Sequence, residues 1–244
     1  MVKADTDGER AGSCFRPIRK VIVVGCSGLG MVVVDIIESQ GMYEMAGFLD
    51  TYKPSGTTVS GYKVLGTCEE LPALLASGRV DGGIVAIGDN WVRRKVVNEL
   101  LELAPAFRFI TAVHPSVQIG AGVEIGRGSI IQAGVVICPW CRLGEFCLLT
   151  SRASLDHECA MGDFASMGPA SATGGNVQIG AFSAIAIGAV ISHGIRVGEH
   201  TVIGAGATVV RDIPDRVVAY GTPARIIRER EPGDPYLEYR ESRK

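Results

Sequence analysis

The densest ionisable cluster in the 244-residue chain is Asp156-His157-Glu158-Cys159, and it holds one of only four histidines. An imidazole flanked by carboxylates is the arrangement of a general base: the carboxylate orients the ring, and the ring takes a proton near neutral pH. The same residues on a solvated surface carry no chemistry, and the cluster by itself leaves both readings open. A second candidate is Gly25-Cys-Ser27-Gly28-Leu29-Gly30. Between a strand and a helix, such glycines let backbone N–H groups approach a phosphate at the helix N-terminus. Asp50 and Thr51, twenty residues on, and Gly88-Asp89-Asn90 fall at the ends of two further apolar runs. Three such features at the carboxyl ends of parallel strands form a ligand crevice.

The seven cysteines suggest zinc at first sight, because Cys138-Pro-Trp-Cys141 is followed by Cys147 and Cys159. The spacing argues otherwise. Cys141, Cys147 and Cys159 differ by multiples of six, the period of the second half of the chain, which makes them small inward-facing hydrophobes and not ligands. His193 and His200, seven apart, form no convincing metal pair, so no metal is expected.

Two sets of elements must position these groups. Lys20 to Val24, Met45 to Leu49 and Gly83 to Ile87 read as strands. Met31 to Glu38, Glu69 to Ala76 and Arg93 to Leu103 read as helices. Alternation of this kind implies parallel βαβ units, hence a small Rossmann-like α/β domain over residues 17–112. From Val113 to Val209 an apolar residue recurs at every sixth position, Thr173 being the one exception. Glycine often follows it, and a small or branched residue stands four places on. Neither a helix of period 3.6 nor a lone strand of period 2 sustains six. A short strand and a tight turn in each hexad do, three hexads closing one coil of a parallel β-helix over residues 113–214. Residues 215–244 read as a cap and tail with a short helix near Ile226 to Arg230, and residues 1–16 as a disordered tail without a secretory signal. With 24 basic against 26 acidic residues, the net charge of −2 argues against a nucleic-acid partner, which usually meets a basic stripe. No apolar run is long enough for membrane insertion, and reduced cysteines fit a cytoplasmic location.

With these pieces in place, the chain resembles the bacterial sugar acetyltransferases, the sialic acid O-acetyltransferase and nucleotide-4-amino-sugar N-acetyltransferase family of hexapeptide-repeat enzymes. The resemblance rests on Gly25-x-x-Gly28-x-Gly30, Phe48-Leu-Asp50, Ala86-Ile-Gly88-Asp-Asn90, His114-Pro-Ser116, His157-Glu-Cys159 and Gly221-Thr-Pro-Ala-Arg225. It implies a left-handed β-helix, a nucleotide-sugar on the N-terminal domain, acetyl-CoA on the β-helix and a homotrimer with active sites between subunits. It also implies His157 as general base and Glu158 as its partner. The acceptor expected is a nucleotide-linked 4-amino-6-deoxy sugar. O-acetylation of sialic acid or another sugar, and a non-catalytic nucleotide-sugar-binding role, are the alternatives. Substrate contacts are expected from Gly25, Ser27, Gly28, Leu29, Gly30, Asp50, Thr51, Gly88, Asp89 and Asn90. Gly174-Gly175 are expected to meet the oxyanion. Thr150, Ser166, Gly188, Ala189, Gly204, Gly206 and Ala207 are expected to line the acetyl-CoA slot. Thr150, Ser166 and Leu29 stand where relatives often carry Asn, His and His.

Overall fold

The computed structural model describes residues 17–237; the expected tail at residues 1–16 lies outside them, as do residues 238–244. The first unit contains β1 (Lys20–Val24), α1 (Gly28–Gln40), β2 (Glu44–Leu49), β3 (Thr58–Val59), β4 (Tyr62–Gly66), α2 (Leu71–Ala76), β5 (Gly82–Val85) and α3 (Asn90–Leu103). The sheet order is β3-β4-β2-β1-β5, with β4, β2, β1 and β5 parallel. The chain runs from β1 outward to β2 and later returns to β1's other side with β5. The crevice of such a sheet opens where that order reverses, above the carboxyl ends of β1 and β5. Gly41 ends α1 in the left-handed region, its N–H donating to Ile37 O.

Seventeen two-residue strands follow, β6 to β22, from Ala112–Val113 to Thr208–Val209. They stack into three parallel faces that wind as a left-handed β-helix. The first face holds the strands starting at Ala112, Ile130, Leu148, Ser166, Ala184 and Val202. The second starts at Gln118 and the third at Glu124. The hexad apolar residues point inward, joined at the corners by Val135, Cys141, Cys147, Ala153, Cys159 and Ala165, all buried. Every sixth residue from Gly122 to Gly206 has a positive φ, including Phe146, Phe164 and Phe182. A non-glycine residue in that region costs about 1 kcal/mol or more, which the coil stacking offsets. Glycine recurs after the apolar position for another reason: a Cβ at Gly162 or Gly180 would run into backbone of the next coil.

The end of the chain differs from expectation. Ile226 to Arg230 form no helix; β24 (Arg225–Glu229) pairs antiparallel with β23 (Val217–Tyr220) and extends the first face. With its β-branched pair Ile226-Ile227, this segment takes the free edge of β23 and gains ladder hydrogen bonds that an isolated helical turn would lack.

The first unit sits on the first face. Ala112, Ile130 and Leu148 share a core with Val21, Val23, Val33 and Ile37. The adjoining corner, between third and first faces, carries a stack of rings. Phe146 lies 4.9 Å from Phe164, Phe164 lies 5.2 Å from Phe182, and Phe182 lies 4.7 Å from His200, all near parallel. Phe146 and Phe164 pack with Phe107, Phe109 and Leu100 of the first unit. Among the described residues no helix is long and apolar enough to cross a membrane.

Candidate active site

His157 lies on the corner between the second and third faces, the vertex opposite the first face. Its Nδ1 is 3.1 Å from Glu158 Oε2, so the ring donates from Nδ1 and keeps Nε2 as a free acceptor. Glu158 holds the positive φ of the corner, 58°, which turns its carboxylate back along the ring. Asp156 Oδ1 accepts the His157 backbone N–H at 2.8 Å and fixes the turn. The ring lies over Gly175, where a Cβ would overlap Nε2. His193, two coils on from His157, has its ring centroid 6.1 Å away.

Thr173, the single polar residue of the hexad series, sits directly behind this corner. Elsewhere the residue after the hexad apolar position donates its N–H to a backbone oxygen of the next coil, as Cys138 does to Leu155 O. Asp156 N–H goes instead to Thr173 Oγ1 at 3.2 Å. That hydroxyl also contacts Cys159 Sγ at 3.4 Å. The interruption of the register was visible in the sequence; its position behind His157 was not.

Of the two glycines expected to meet an oxyanion, Gly174 is spent, because its N–H donates to Ile191 O in the coil ladder. Gly175 remains as the candidate donor beside the imidazole. The expected cofactor residues separate similarly. Gly188 and Gly206 stand on the corner between first and second faces with open space where a side chain would be. Gly204 starts a turn of that same corner but faces Tyr220. Ala189 and Ala207 are fully buried within the coil, since their positions belong to the inward small series, and offer no side-chain surface to a cofactor. Thr150 donates its hydroxyl to Met167 O at 2.9 Å. Ser166 is buried on the first face under the first unit, its Oγ 3.5 Å from Tyr236 Oη, and not in an open slot.

In the crevice, Gly25 follows β1 and Gly30 packs so closely that a Cβ there would overlap Gly25 O. Gly28 faces open space, and Ser27 caps α1 without using its side chain, leaving the first N–H groups of the helix without a side-chain cap. Asp50 holds this loop in shape: its carboxylate accepts Cys26 N–H at 2.6 Å and the N–H groups of Tyr52 and Lys53 at 2.9 Å. Thr51 is exposed beside it. Leu29 packs against the buried core between α1 and the sheet, so its side chain serves the fold more than a ligand. Asp89 caps α3, accepting from Trp91 and Val92 N–H. Asn90 is buried, and its amide bonds Arg93 and the backbone of Phe182 and Ser183. Both were expected to reach substrate; the helix start and the contact between units use their polar atoms first. Gly88 O accepts from Arg93 and from Tyr236 Oη. Arg93 and Tyr236 escaped the sequence reading, which has no signal for a charge or hydroxyl buried between units.

The cysteine series is structural. Cys141, Cys147 and Cys159 are buried in the coil, and burial pushes the Cys147 thiol up to about 12. The Cys147 thiol therefore stays protonated. Among the described residues no group of three or more His, Cys, Asp or Glu is placed to hold a metal ion.

The glycine crevice belongs to the unit packed on the first face, whereas His157 stands on the corner opposite that face.

Residues 20–100 match the family model described as the PglD N-terminal domain. A search of curated protein sequences finds no match to the chain. Among solved structures, the chain is similar to PerB from Caulobacter crescentus in complex with CoA and GDP-perosamine. That likeness has 33% identity and a TM-score of 0.80, and covers 87% of this chain and 100% of the other. The acetyltransferase domain of PglB from Neisseria gonorrhoeae, in complex with acetyl coenzyme A, is 32% identical with a TM-score of 0.79, covering 86% and 99%. WeeI from Acinetobacter baumannii is 27% identical with a TM-score of 0.69, covering 85% and 100%. The parallel sheet, the hexad β-helix and full-length likeness above 30% identity lead to one assignment: the chain belongs to the bacterial sugar acetyltransferases of the hexapeptide-repeat superfamily.

Proposed function

We propose that the protein transfers the acetyl group of acetyl-CoA to the amine of a nucleotide-linked amino sugar, a 4-amino-6-deoxy sugar by the family resemblance. The observation that carries this reading is the His157–Glu158 pair, with Nδ1 held at 3.1 Å and Nε2 free above Gly175. The neutral sugar amine attacks the thioester carbonyl carbon, forming a C–N bond. Nε2 of His157 takes the proton that the amine loses, and Gly175 N–H meets the oxyanion. The tetrahedral intermediate collapses with breakage of the C–S bond, giving the acetamido sugar and the CoA thiolate.

The nucleotide part is held by the Gly25–Gly30 loop at the start of α1, where free N–H groups suit a diphosphate. The open corner at Gly188 and Gly206 has room for the cofactor's backbone-hugging pantetheine. A second subunit brings the two together. The outer positions of the second face, among them Gln118, Val136, Ala172 and Val190, carry no charge, whereas the third face presents Glu124, Arg142 and Arg196. Val136 and Val190 are exposed in the single chain. An uncharged face with exposed valines suits burial against further copies, in a homotrimer that sets His157 of one subunit against its neighbour.

The test is incubation with acetyl-CoA and a panel of UDP-, GDP- and dTDP-linked amino sugars, with thiol release followed in time. Turnover of at least one member supports the reading. Silence across the panel with acetylation of free sialic acid moves the assignment to O-acetylation, and nucleotide-sugar binding without any turnover moves it to a non-catalytic role.

A further inference from the structure

Arg93 is fully enclosed, and all five of its N–H donors are used. Nε donates to Phe146 O at 3.1 Å and Nη2 to Phe164 O at 3.0 Å, both on the ring-bearing corner of the β-helix. Nη1 donates to Ile87 O at 2.8 Å and Gly88 O at 3.1 Å, in the loop that follows β5 and borders the crevice. The remaining Nη2 donor goes to Asn90 Oδ1 at 2.8 Å, and the Asn90 amide reaches Phe182 O and Ser183 O. One guanidinium therefore ties three successive coils, directly or through Asn90, to the crevice loop.

No carboxylate pairs with it among the described residues. A well-packed apolar side chain would serve stability as well as a buried cation does. What the guanidinium adds is geometry, because a rigid planar fork fixes the direction of every carbonyl that it meets. Tyr236 supports the same loop from the other side, donating to Gly88 O and accepting Asn90 N–H, each at 3.2 Å.

We propose that Arg93 is a positioning residue for acyl transfer: it registers the nucleotide-sugar loop against the β-helix, and so sets where the acceptor amine is presented to the neighbouring subunit's acetyl donor. This rests on the transfer reading above. Arg93 touches neither substrate, and the donor slot is built from β-helix residues alone. Its loss therefore harms delivery of a crevice-bound acceptor and spares an acceptor that needs no crevice.

The experiment compares Arg93→Met and Arg93→Lys with the parent in a Trp140→Phe background, which leaves Trp91 as the only tryptophan. Trp91 packs against Phe182 and His200 at 5.5 and 5.7 Å and reports the junction. With the nucleotide-linked acceptor, kcat of Arg93→Met falls about 10²-fold, the scale of an ångström's misplacement. KM for acetyl-CoA and the rate of acetyl transfer to hydroxylamine stay within about twofold on the same argument. Arg93→Lys falls between, since a flexible ammonium with three donors cannot meet five acceptors. On heating Arg93→Met, Trp91 emission shifts to the red before the β-helix circular dichroism is lost. Equal losses on both acceptors, or no loss on either, overturn the proposal. A parent protein silent on every nucleotide-linked amino sugar overturns the functional reading instead. Trp91 then decides for Arg93 alone: junction and coil melting together in Arg93→Met refute the clamp.

Discussion

The imidazole of His157 occupies the volume that a side chain at residue 175 would need: a Cβ on Gly175 would overlap its Nε2. The glycine is required there by contact and not by backbone torsion, since Gly175 has no positive φ. Gly175→Ala is expected to fold normally and to turn the ring away from its seat. Steady-state transfer should fall by about 10²-fold, as for other small misplacements of a reacting group. A variant with unchanged kcat would show that the ring's seat on this corner is irrelevant to transfer.

His157→Ala should lower the transfer rate about 10²–10⁴-fold, the usual contribution of a general base. Circular dichroism and melting temperature should stay as in the parent, because the side chain is half exposed and the coil hydrogen bonds are made by the backbone. Glu158→Gln keeps the shape and loses the charge. Its loss should be about tenfold, the low end for a charge-assisted hydrogen bond, because both side chains are open to solvent. Equal rates for all three proteins would remove this pair from the mechanism.

The ring stack makes a stability prediction. Phe164 is 2% exposed and stacks on Phe146 and Phe182. Phe164→Ala leaves a positive-φ alanine and a cavity between the units, and should cost about 3 kcal/mol. The shift of the denaturation midpoint in urea measures it, and a change below about 1 kcal/mol would place the stack outside the cooperative core.

His200 ends that stack, and its pKa is lowered, first by burial and then by Arg230 and Arg216, against the opposing pull of Glu199 and Asp215. Since the folded value lies below the unfolded one of about 6.5, the unfolded chain takes up the proton first. The stabilisation is complete above the unfolded pKa and is lost as pH falls through the folded one. His200→Phe should flatten stability against pH in that window while keeping the stack. Parallel pH curves for parent and variant would mean that His200 contributes nothing to acid sensitivity.

The β-helix was legible because its repeat is enforced residue by residue. A side chain that must fill a narrow coil leaves an apolar mark at every sixth position, and Thr173 stood out as the one break. The strands and helices of the first unit were legible for the same reason, from Lys20–Val24 to the helix ending near Leu103. The β3–β4 hairpin and β24 were not. Thr58–Val59 is too short for a pattern, and Arg225–Glu229 is exposed along its length, so only the edge of β23 makes it a strand. The site was half legible. His157 and Glu158 are adjacent in sequence, and their geometry is local. Asp89 was expected at the ligand, yet its carboxylate caps the helix that follows it, while Asn90 and Ser166 meet partners across a junction that no local pattern encodes. Arg93 was invisible for the same reason.

The central claim, that His157 of one subunit acts on a sugar held by another, is tested most directly by mixing two inactive variants. His157→Ala lacks the base. Gly28→Trp fills the crevice mouth, where the structure has open space for the added side chain. Each should be inactive alone with acetyl-CoA and the preferred nucleotide-linked amino sugar. Co-expressed and purified as hybrids, they should regain a substantial fraction of parental turnover, because some interfaces pair an intact crevice with an intact His157. Hybrids confirmed by mass spectrometry that remain as inactive as their parents would contradict a site shared between subunits.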